Sequence, residues 1–460
     1  MYKRYKAIHF VGIGGVGMSG IAEVLHTLKY MVTGSDLKPS DTTERLRKLG
    51  IEITIGHKAA NVKNAQVVVI SSAVGTENPE VKEAVRLGIP VIPRSEMLAE
   101  LGRLKYGVLI AGSHGKTTTT SLIATVFARA GLDPTVVIGG RLNALGANAR
   151  LGKGEFLVAE ADESDGSFLK LSPTLAVVTN IDREHMEYFR SMFALKGAFL
   201  EFMNKVPFYG LNILCMEDKN VRDLLPDVRR RVLTYGFSEE AELRAMNMKK
   251  DFMSVQYEAV LNGKKLKRIN LPMPGEHNVL NSLAAIAAGL ELEIEPDMIK
   301  EALENFEGIG RRLELKGKEK GITVYDDYGH HPTEARATIK SLKEGIGGRR
   351  LLVIFQPHRY TRTRDMMEEF SRSFEDVDHL MLLDIYAAGE KPIEDITSEA
   401  LMKRIKKQTG DKSVHLKRED VIGHLSGILK TGDVVLTLGA GDVWKISEEL
   451  VNVLKEGDGL

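Results

Sequence analysis

Apolar, β-branched runs recur along this chain, and each is followed by a stretch whose apolar residues have helical spacing. That alternation constrains the fold more than any other feature. Parallel strands need long crossovers, and crossover helices cover both faces of the sheet, so such strands read as continuous apolar runs. The series starts three times. "AIHFVGIG", "MVTGSD", "QVVVISSAV" and "IPVIPR" form the first set; "YGVLIAG", "PTVVIGG", "EFLVAEAD" and "TLAVVTNID" the second; "GITVYDD", "RLLVIF", "HLMLLDI" and "DVVLTLGAGD" the third. The expectation is an α/β protein with domains over 1–105, 106–311 and 312–460. A length of 460 residues agrees, since about 150 residues per core gives about three domains.

Charge excludes several classes of partner. Lys+Arg and Asp+Glu both total 63, so no net basic field is present to hold nucleic acid or an anionic membrane. A single cysteine, Cys215, excludes an internal disulfide and a cysteine-based zinc cage, and fits a reducing cytosol. The start of the chain places basic residues before an apolar run, but "AIHFVGIGG" is a strand entering a glycine turn rather than a secretory helix. No apolar run reaches the roughly 18 residues of a membrane span. A cytoplasmic protein without membrane insertion is expected, as a monomer or homodimer.

Two glycine-rich turns carry the first chemistry. "GIGGVGMSG" fits G-x-G-x-x-G through Gly12, Gly14 and Gly17, after a strand and before a helix, and Asp36 ends the next strand. Such glycines let the backbone approach a diphosphate on a helix N-terminus, which by itself suggests a nicotinamide-dependent oxidoreductase. "LIAGSHGKTTTT" resembles a phosphate loop with Ile110 where the opening glycine usually stands. Gly112 and Gly115 allow backbone approach, Lys116 suits phosphates and Thr117 suits a magnesium ion. Four threonines make a poor helix start, so their hydroxyls have another use. Two nucleotide sites weaken the oxidoreductase reading.

Polar residues then gather where parallel sheets place ligands, at the carboxyl ends of strands. "AEADESDGSF" supplies Glu160, Asp162, Glu163 and Asp165; "TNIDREH" supplies Asn180, Asp182 and His185. One of these carboxylates suits magnesium, and an imidazole suits a second or softer site. "GEHNVLN" places His277, Asn278 and Asn281 at a helix start, where a capping arrangement competes with a purine-binding edge. "VYDDYGHHPTE" delivers Asp326, Asp327, Tyr328, His330 and His331, and "FQPHRYTRTRD" delivers His358, Arg359, Arg362 and Arg364. Clustered arginines suit a carboxylate or phosphate. Adjacent histidines point to opposite faces of an extended segment, which argues against a metal at the pair.

In this order the motifs "GIGGVGMSGIAEVL", "GSHGKTTTT", "AEADESDGSF", "TNID", "GEHNVLN", "DDYGHHPTE" and "FQPHRYTRT" resemble the Mur ligases of bacterial cell-wall synthesis, and within them the alanine-adding branch. The family's own loop is G-[ST]-x-G-K-T, so Ile110 is no defect. The resemblance implies a Rossmann-like N-terminal domain, a central P-loop ATPase domain and a Rossmann-like C-terminal domain. It implies ATP and Mg2+ as cofactors, and UDP-N-acetylmuramate and L-alanine as substrates joined through an acyl phosphate. Gly14, Gly15 and Gly17 would meet the UDP diphosphate, with Asp36 and Ser72 near the uridine. Gly112, Ser113, His114, Gly115, Lys116, Thr117 and Thr118 would bind ATP, His277, Asn278 and Asn281 would flank adenine, and Arg311 or Arg312 would reach the phosphates. Thr117 and Glu160 would bind one magnesium and His185 would help with a second. Tyr328, His330, Arg359 and Arg362 would receive alanine, His330 as base or orienter of its amine. Some related ligases carry a carbamylated lysine downstream of the metal-site histidine; the register here places Leu200, not Lys196, at that position. A ligase that adds a recycled murein tripeptide to the same sugar nucleotide is the alternative.

Overall fold

A computed structural model describes residues 5–71, 73–103, 105–142, 147–251 and 253–456. The first sheet contains β1 (Ala7–Val11), β2 (Met31–Asp36), β3 (Glu52–Ile55), β4 (Val67–Ile70) and β5 (Val91–Pro93), in the order β3-β2-β1-β4-β5. All its pairings are parallel. Strand order reverses between β1 and β4, and the first glycine turn follows β1, so the turn lies at the topological switch point where such sheets bind ligands.

The central sheet has ten strands: β6 (Tyr106–Ala111), β7 (Thr135–Leu142), β8 (Ala147–Arg150), β9 (Phe156–Glu160), β10 (Leu175–Val178), β11 (Leu211–Cys215), β12 (Val232–Gly236), β13 (Leu243–Asp251), β14 (Ser254–Leu261) and β15 (Lys264–Leu271). Their order is β15-β14-β13-β12-β11-β10-β6-β9-β7-β8. β6 is flanked by parallel β10 and β9, which brings the ends of three strands together around the phosphate-type loop. The apolar runs anticipated β6, β7, β9 and β10 but not β8, β11, β12 or the extension through β13 to β15. β13 and β15 carry lysines and arginines on exposed positions, and β14 is interrupted by Gln256 and Glu258, so they lack the continuous apolar signature of strands covered on both faces.

The third sheet contains β16 (Glu314–Glu319), β17 (Ile322–Asp327), β18 (Leu351–Phe355), β19 (His379–Leu382), β20 (Ser413–His415) and β21 (Val434–Leu438), ordered β16-β17-β21-β18-β19-β20. Only β16 is antiparallel to its neighbour. All of β18 is buried, with Leu351, Val353 and Phe355 in the core on one face and Leu352 and Ile354 in the core on the other. Helices therefore cover both faces, as the apolar runs require.

The three sheets fall into two compact units. One comprises residues 1–248, 257–270 and 278–307; the other comprises 249–256, 271–277 and 308–460. In the first unit a continuous core runs from Ile8, Phe10 and Ile21 to Leu109, Phe168 and Phe202, so the first two sheets share one apolar interior. Among the described residues no helix is long and apolar enough to cross a membrane.

Candidate active site

The glycine turn after β1 is fastened to the strand beside it. The amides of Gly12 and Ile13 donate to the Ser35 carbonyl at 2.8 and 3.0 Å, and the Gly14 amide donates to Asp36 Oδ2 at 2.8 Å. Asp36 thus holds the turn. A Cβ at Gly14 would stand 2.8 Å from that carboxylate oxygen, and one at Gly17 would collide with the Arg94 guanidinium. Ser72 lies outside the described residues.

Beneath the turn is a polar network that sequence reasoning missed. Glu80 is fully buried, accepts from Ser35 Oγ at 2.6 Å and from the Lys58 amide at 3.3 Å, and stands 3.7 Å from His9 Nε2 and 3.4 Å from His57 Nδ1. Burial raises its pKa, but hydrogen bonding from His9, Ser35 and Asn61 outweighs that and lowers it to about 2. Asn78 caps the helix Pro79–Arg86, so "NPE" reads as an ordinary helix start and conceals this glutamate.

The loop after β6 opens with Gly112 at φ +135° and closes with Gly115 at φ +80°, the N-cap of the helix Lys116–Arg129. Both values favour glycine. A Cβ at Gly112 would strike Thr179 Oγ1, and one at Gly115 would stand 2.7 Å from Asn281 Oδ1. The segment after β10 straps the loop. The Asn180 side chain accepts from the His114 amide at 2.8 Å and donates to the His114 carbonyl at 3.0 Å, Thr179 donates to that carbonyl at 2.6 Å, and the Asp182 amide donates to Ser113 Oγ at 2.8 Å. His114 Nε2 lies 3.1 Å from Asp182.

Asn281 is also brought to this loop. It accepts from Thr119 Oγ1 at 3.1 Å and donates to Asn278 Oδ1 at 3.3 Å, and both asparagines are buried. One of the four threonine hydroxyls therefore ties the loop's helix to a segment far along the chain. His277 falls in the second unit, with its pKa lowered to about 4 by burial and the Arg312 charge.

Lys116 is enclosed by acceptors. Its Nζ donates to the Gly112 and Ser113 carbonyls and lies 3.0 and 2.9 Å from the two Glu163 oxygens. Burial opposes its charge, but Glu163, Asp162 and Glu184 outweigh burial and raise its pKa. Glu163 is 1% exposed, and both its oxygens facing one ammonium fits an ionised pair. Asp162 is lowered to about 2: burial raises it, while Lys116 and Arg94, the latter 3.2 Å away, hold it ionised.

Glu163, Glu184 and His185 bring ligand atoms within 4.8 Å of one another. His185 adopts φ +56° at the start of the short helix Met186–Phe189. Glu160, half-buried, ends β9 opposite Ile110, and Thr117 is buried in the first turn of the loop's helix. Sequence reasoning noted Glu163 without a partner and passed over Glu184, whose one signal is its place beside His185.

In the second unit the expected residues gather at the carboxyl ends of β17, β18 and β21. The guanidinium groups of Arg311 and Arg312 lie 5.0 and 5.4 Å from the centre of the Tyr328 ring. Arg311 is committed within this unit: it pairs with Asp326 at 2.9 Å and donates to the carbonyls of Gly439 and Gly441. Asp327 accepts from the amides of Leu313 and Gly329, both at 2.8 Å; burial pushes its pKa up to about 6, against the Arg312 charge and those two bonds.

His330 Nδ1 is 3.1 Å from the Tyr328 carbonyl, and its ring meets Tyr328 and His358 edge to face at 5.3 and 5.8 Å. His331 caps the helix Pro332–Gly345 instead, so the two neighbours do separate tasks. His358 stacks on Tyr386 at 5.5 Å, and its Nδ1 is 3.3 Å from Arg362 Nη1. Burial and the nearby His330 and arginines lower the His358 pKa to about 3. Arg359 is held at φ +72° with its amide donating to the Tyr386 carbonyl at 2.9 Å, a strained conformation for a side-chain-bearing residue. Arg364 turns to Asp365 at 2.7 Å.

Comparisons with known proteins agree with this architecture. Residues 7–106 match the model of the Mur ligase family, catalytic domain; 110–289 match the Mur ligase middle domain; 311–441 match the Mur ligase, glutamate ligase domain. The chain is 56% identical to a UDP-N-acetylmuramate--L-alanine ligase of Geotalea daltonii over 458 residues, covering 99% of this chain and all of the relative. It is 54% identical to the enzyme of that name from Geobacter sulfurreducens, covering 99% of each. Among solved structures, a UDP-N-acetylmuramate-alanine ligase from Thermotoga maritima superposes with TM-score 0.84 at 29% identity, covering 98% of this chain and all of that one. A murein peptide ligase from Psychrobacter arcticus gives TM-score 0.72 at 25% identity, covering 97% and 98%. Sheet order, loop geometry and end-to-end likeness lead to one conclusion: the chain belongs to the Mur ligase family.

Proposed function

We infer that this chain is an ATP-dependent ligase that joins L-alanine to the carboxylate of UDP-N-acetylmuramate in peptidoglycan precursor synthesis. The observation that carries the reading is Lys116, half-buried in a glycine loop at a strand end among carboxylates, on a chain that resembles such ligases over its whole length. A carboxylate is a poor acyl donor because oxide would have to leave. It attacks the γ-phosphorus of ATP, ADP leaves, and an acyl phosphate forms. The unprotonated amine of alanine then attacks the acyl carbon, phosphate departs, and the amide remains.

Each residue has a task in this scheme. Lys116 and the loop of Gly112, Ser113, His114, Gly115, Thr117 and Thr118 hold the phosphates and offset the charge of the attacking carboxylate, with Asn180 keeping the Ser113 and His114 amides in place. Asn278 and Asn281 face adenine. Gly14, Gly15 and Gly17 admit the UDP diphosphate, and Asp36 keeps that turn in shape. Arg359 and Arg362 bind carboxylate, Tyr328 lines the pocket, and His330 takes up or orients the proton of the alanine amine.

The donors near the loop fit magnesium, because Thr117, Glu160, Glu163 and Glu184 supply hard oxygen ligands with one imidazole, His185. Thr117 and Glu160 would hold one ion and His185 would help with a second, supplying charge neutralisation at the phosphates. We take the domains as 1–105, 106–311 and 312–460, and the protein as a cytoplasmic monomer or homodimer. The murein-tripeptide alternative is not favoured by the relatives. The test is phosphate release from ATP and Mg2+ with UDP-N-acetylmuramate: release that requires L-alanine supports the reading. Release only with a peptide, or none, overturns it.

A further inference from the structure

We propose that Glu163 is a positioning residue that occupies the phosphate place on Lys116 and must give that lysine up when ATP binds. The proposal rests on the ligase reading above and concerns the same loop. Lys116 Nζ has three protons, and two point toward loop carbonyls, at Gly112 and Ser113. The remaining direction is filled by both oxygens of one carboxylate at 3.0 and 2.9 Å. Two oxygens of a tetrahedral phosphate present the same face to an ammonium, so Glu163 stands in for the ligand.

The surroundings of Glu163 make the exchange specific. It is 1% exposed and the Lys116 side chain 16%, so water is a poor substitute partner for either. One of the same Glu163 oxygens also lies within 4.8 Å of ligand atoms of Glu184 and His185. Once Lys116 turns to phosphate, two buried carboxylates remain side by side without that ammonium, a state that a cation arriving with the nucleotide relieves. Exchange of partners thus couples nucleotide entry to cation entry: ATP alone must displace a paired carboxylate, whereas ATP with its cation leaves every charge matched. Asp162 keeps Arg94, 3.2 Å away, when Lys116 turns to phosphate, so the hydrogen-bonded pair that breaks is that of Glu163.

The measurement is calorimetric binding of ATP in EDTA, without turnover, to the full-length chain and its Glu163→Gln variant, with thermal melts to verify folding. Glutamine keeps the shape and one acceptor but releases Lys116, and binding about tenfold tighter than wild type is expected, about 1.4 kcal/mol. Glu184→Gln removes the same charge from the same cluster and is expected to gain less than about threefold. Should Glu163→Gln not fold, Glu163→Asp serves, since its shorter reach also loosens the pair and a smaller gain in the same direction is expected. Unchanged or weaker binding in the Glu163 variants, or equal gains at 163 and 184, overturns the proposal. No ATP binding by wild type, with or without Mg2+, overturns the ligase reading as well.

Discussion

Removing the Lys116 ammonium while leaving its loop intact separates phosphate binding from loop shape. Lys116→Ala is expected to reduce alanine-dependent phosphate release by at least about 10³-fold, since preorganised charges at phosphoryl transfer are worth that much. It also leaves Glu163 buried without its partner, so thermal melting should fall too. Glu80 gives a prediction about pH. Its folded pKa, about 2, is below its ordinary value, so its stabilisation is present above about pH 4.5 and disappears as pH falls toward 2. Glu80→Gln should therefore lower the urea midpoint at pH 7, by about 3 kcal/mol of stability, and the difference from wild type should shrink below pH 4.5. Asp327 has the opposite sign. Its raised pKa means that stability is greatest with the group protonated and is lost as pH rises from about 4 through about 6, a slope that Asp327→Asn should remove. At this scale the sequence showed which residues cluster but not their pairing. Lys116 and Thr117 were legible because a loop motif fixes their spacing, whereas the Lys116–Glu163 pair depends on two strand ends meeting.

Among elements, turns with glycine were the most legible, because φ +80° at Gly12 and at Gly115 leaves few alternatives to glycine. Gly115→Ala should strain the backbone and press on Asn281, and a drop of at least tenfold in ATP affinity is expected by calorimetry, about 1.4 kcal/mol. Strands buried on both faces were read from their apolar runs, and β6, β9, β10, β17, β18 and β21 fall where those runs are. Strands with one wet face were not: β13 and β15 alternate and carry charge, so nothing continuous marks them. β16, "ELKGKE", holds its place by antiparallel pairing with buried β17, a tertiary reason invisible in its composition.

For the whole molecule, three repeated series of strands announced three sheets, but the division of cores was hidden. The first two sheets share one interior, so the chain forms two compact units, and each should respond to its own ligands. A non-hydrolysable ATP analogue at about 100 times its Kd should stabilise the folded chain by about 2.7 kcal/mol, readable by calorimetry as an upward shift in melting. Coverage by the family models from residue 7 to 441 agrees with an architecture in which every sheet is used.

The strapped loop also sets a schedule for biosynthesis. Residues 112–116 leave the ribosome early, but Thr179 and Asn180 that grip His114, and Asn281 that lies against Gly115, are made much later. A nascent chain halted before residue 281 has the phosphate motif in full and lacks the groups that shape it. Nucleotide binding is thus a property that arrives late in translation, and truncated products of this gene should neither capture nor spend cellular ATP.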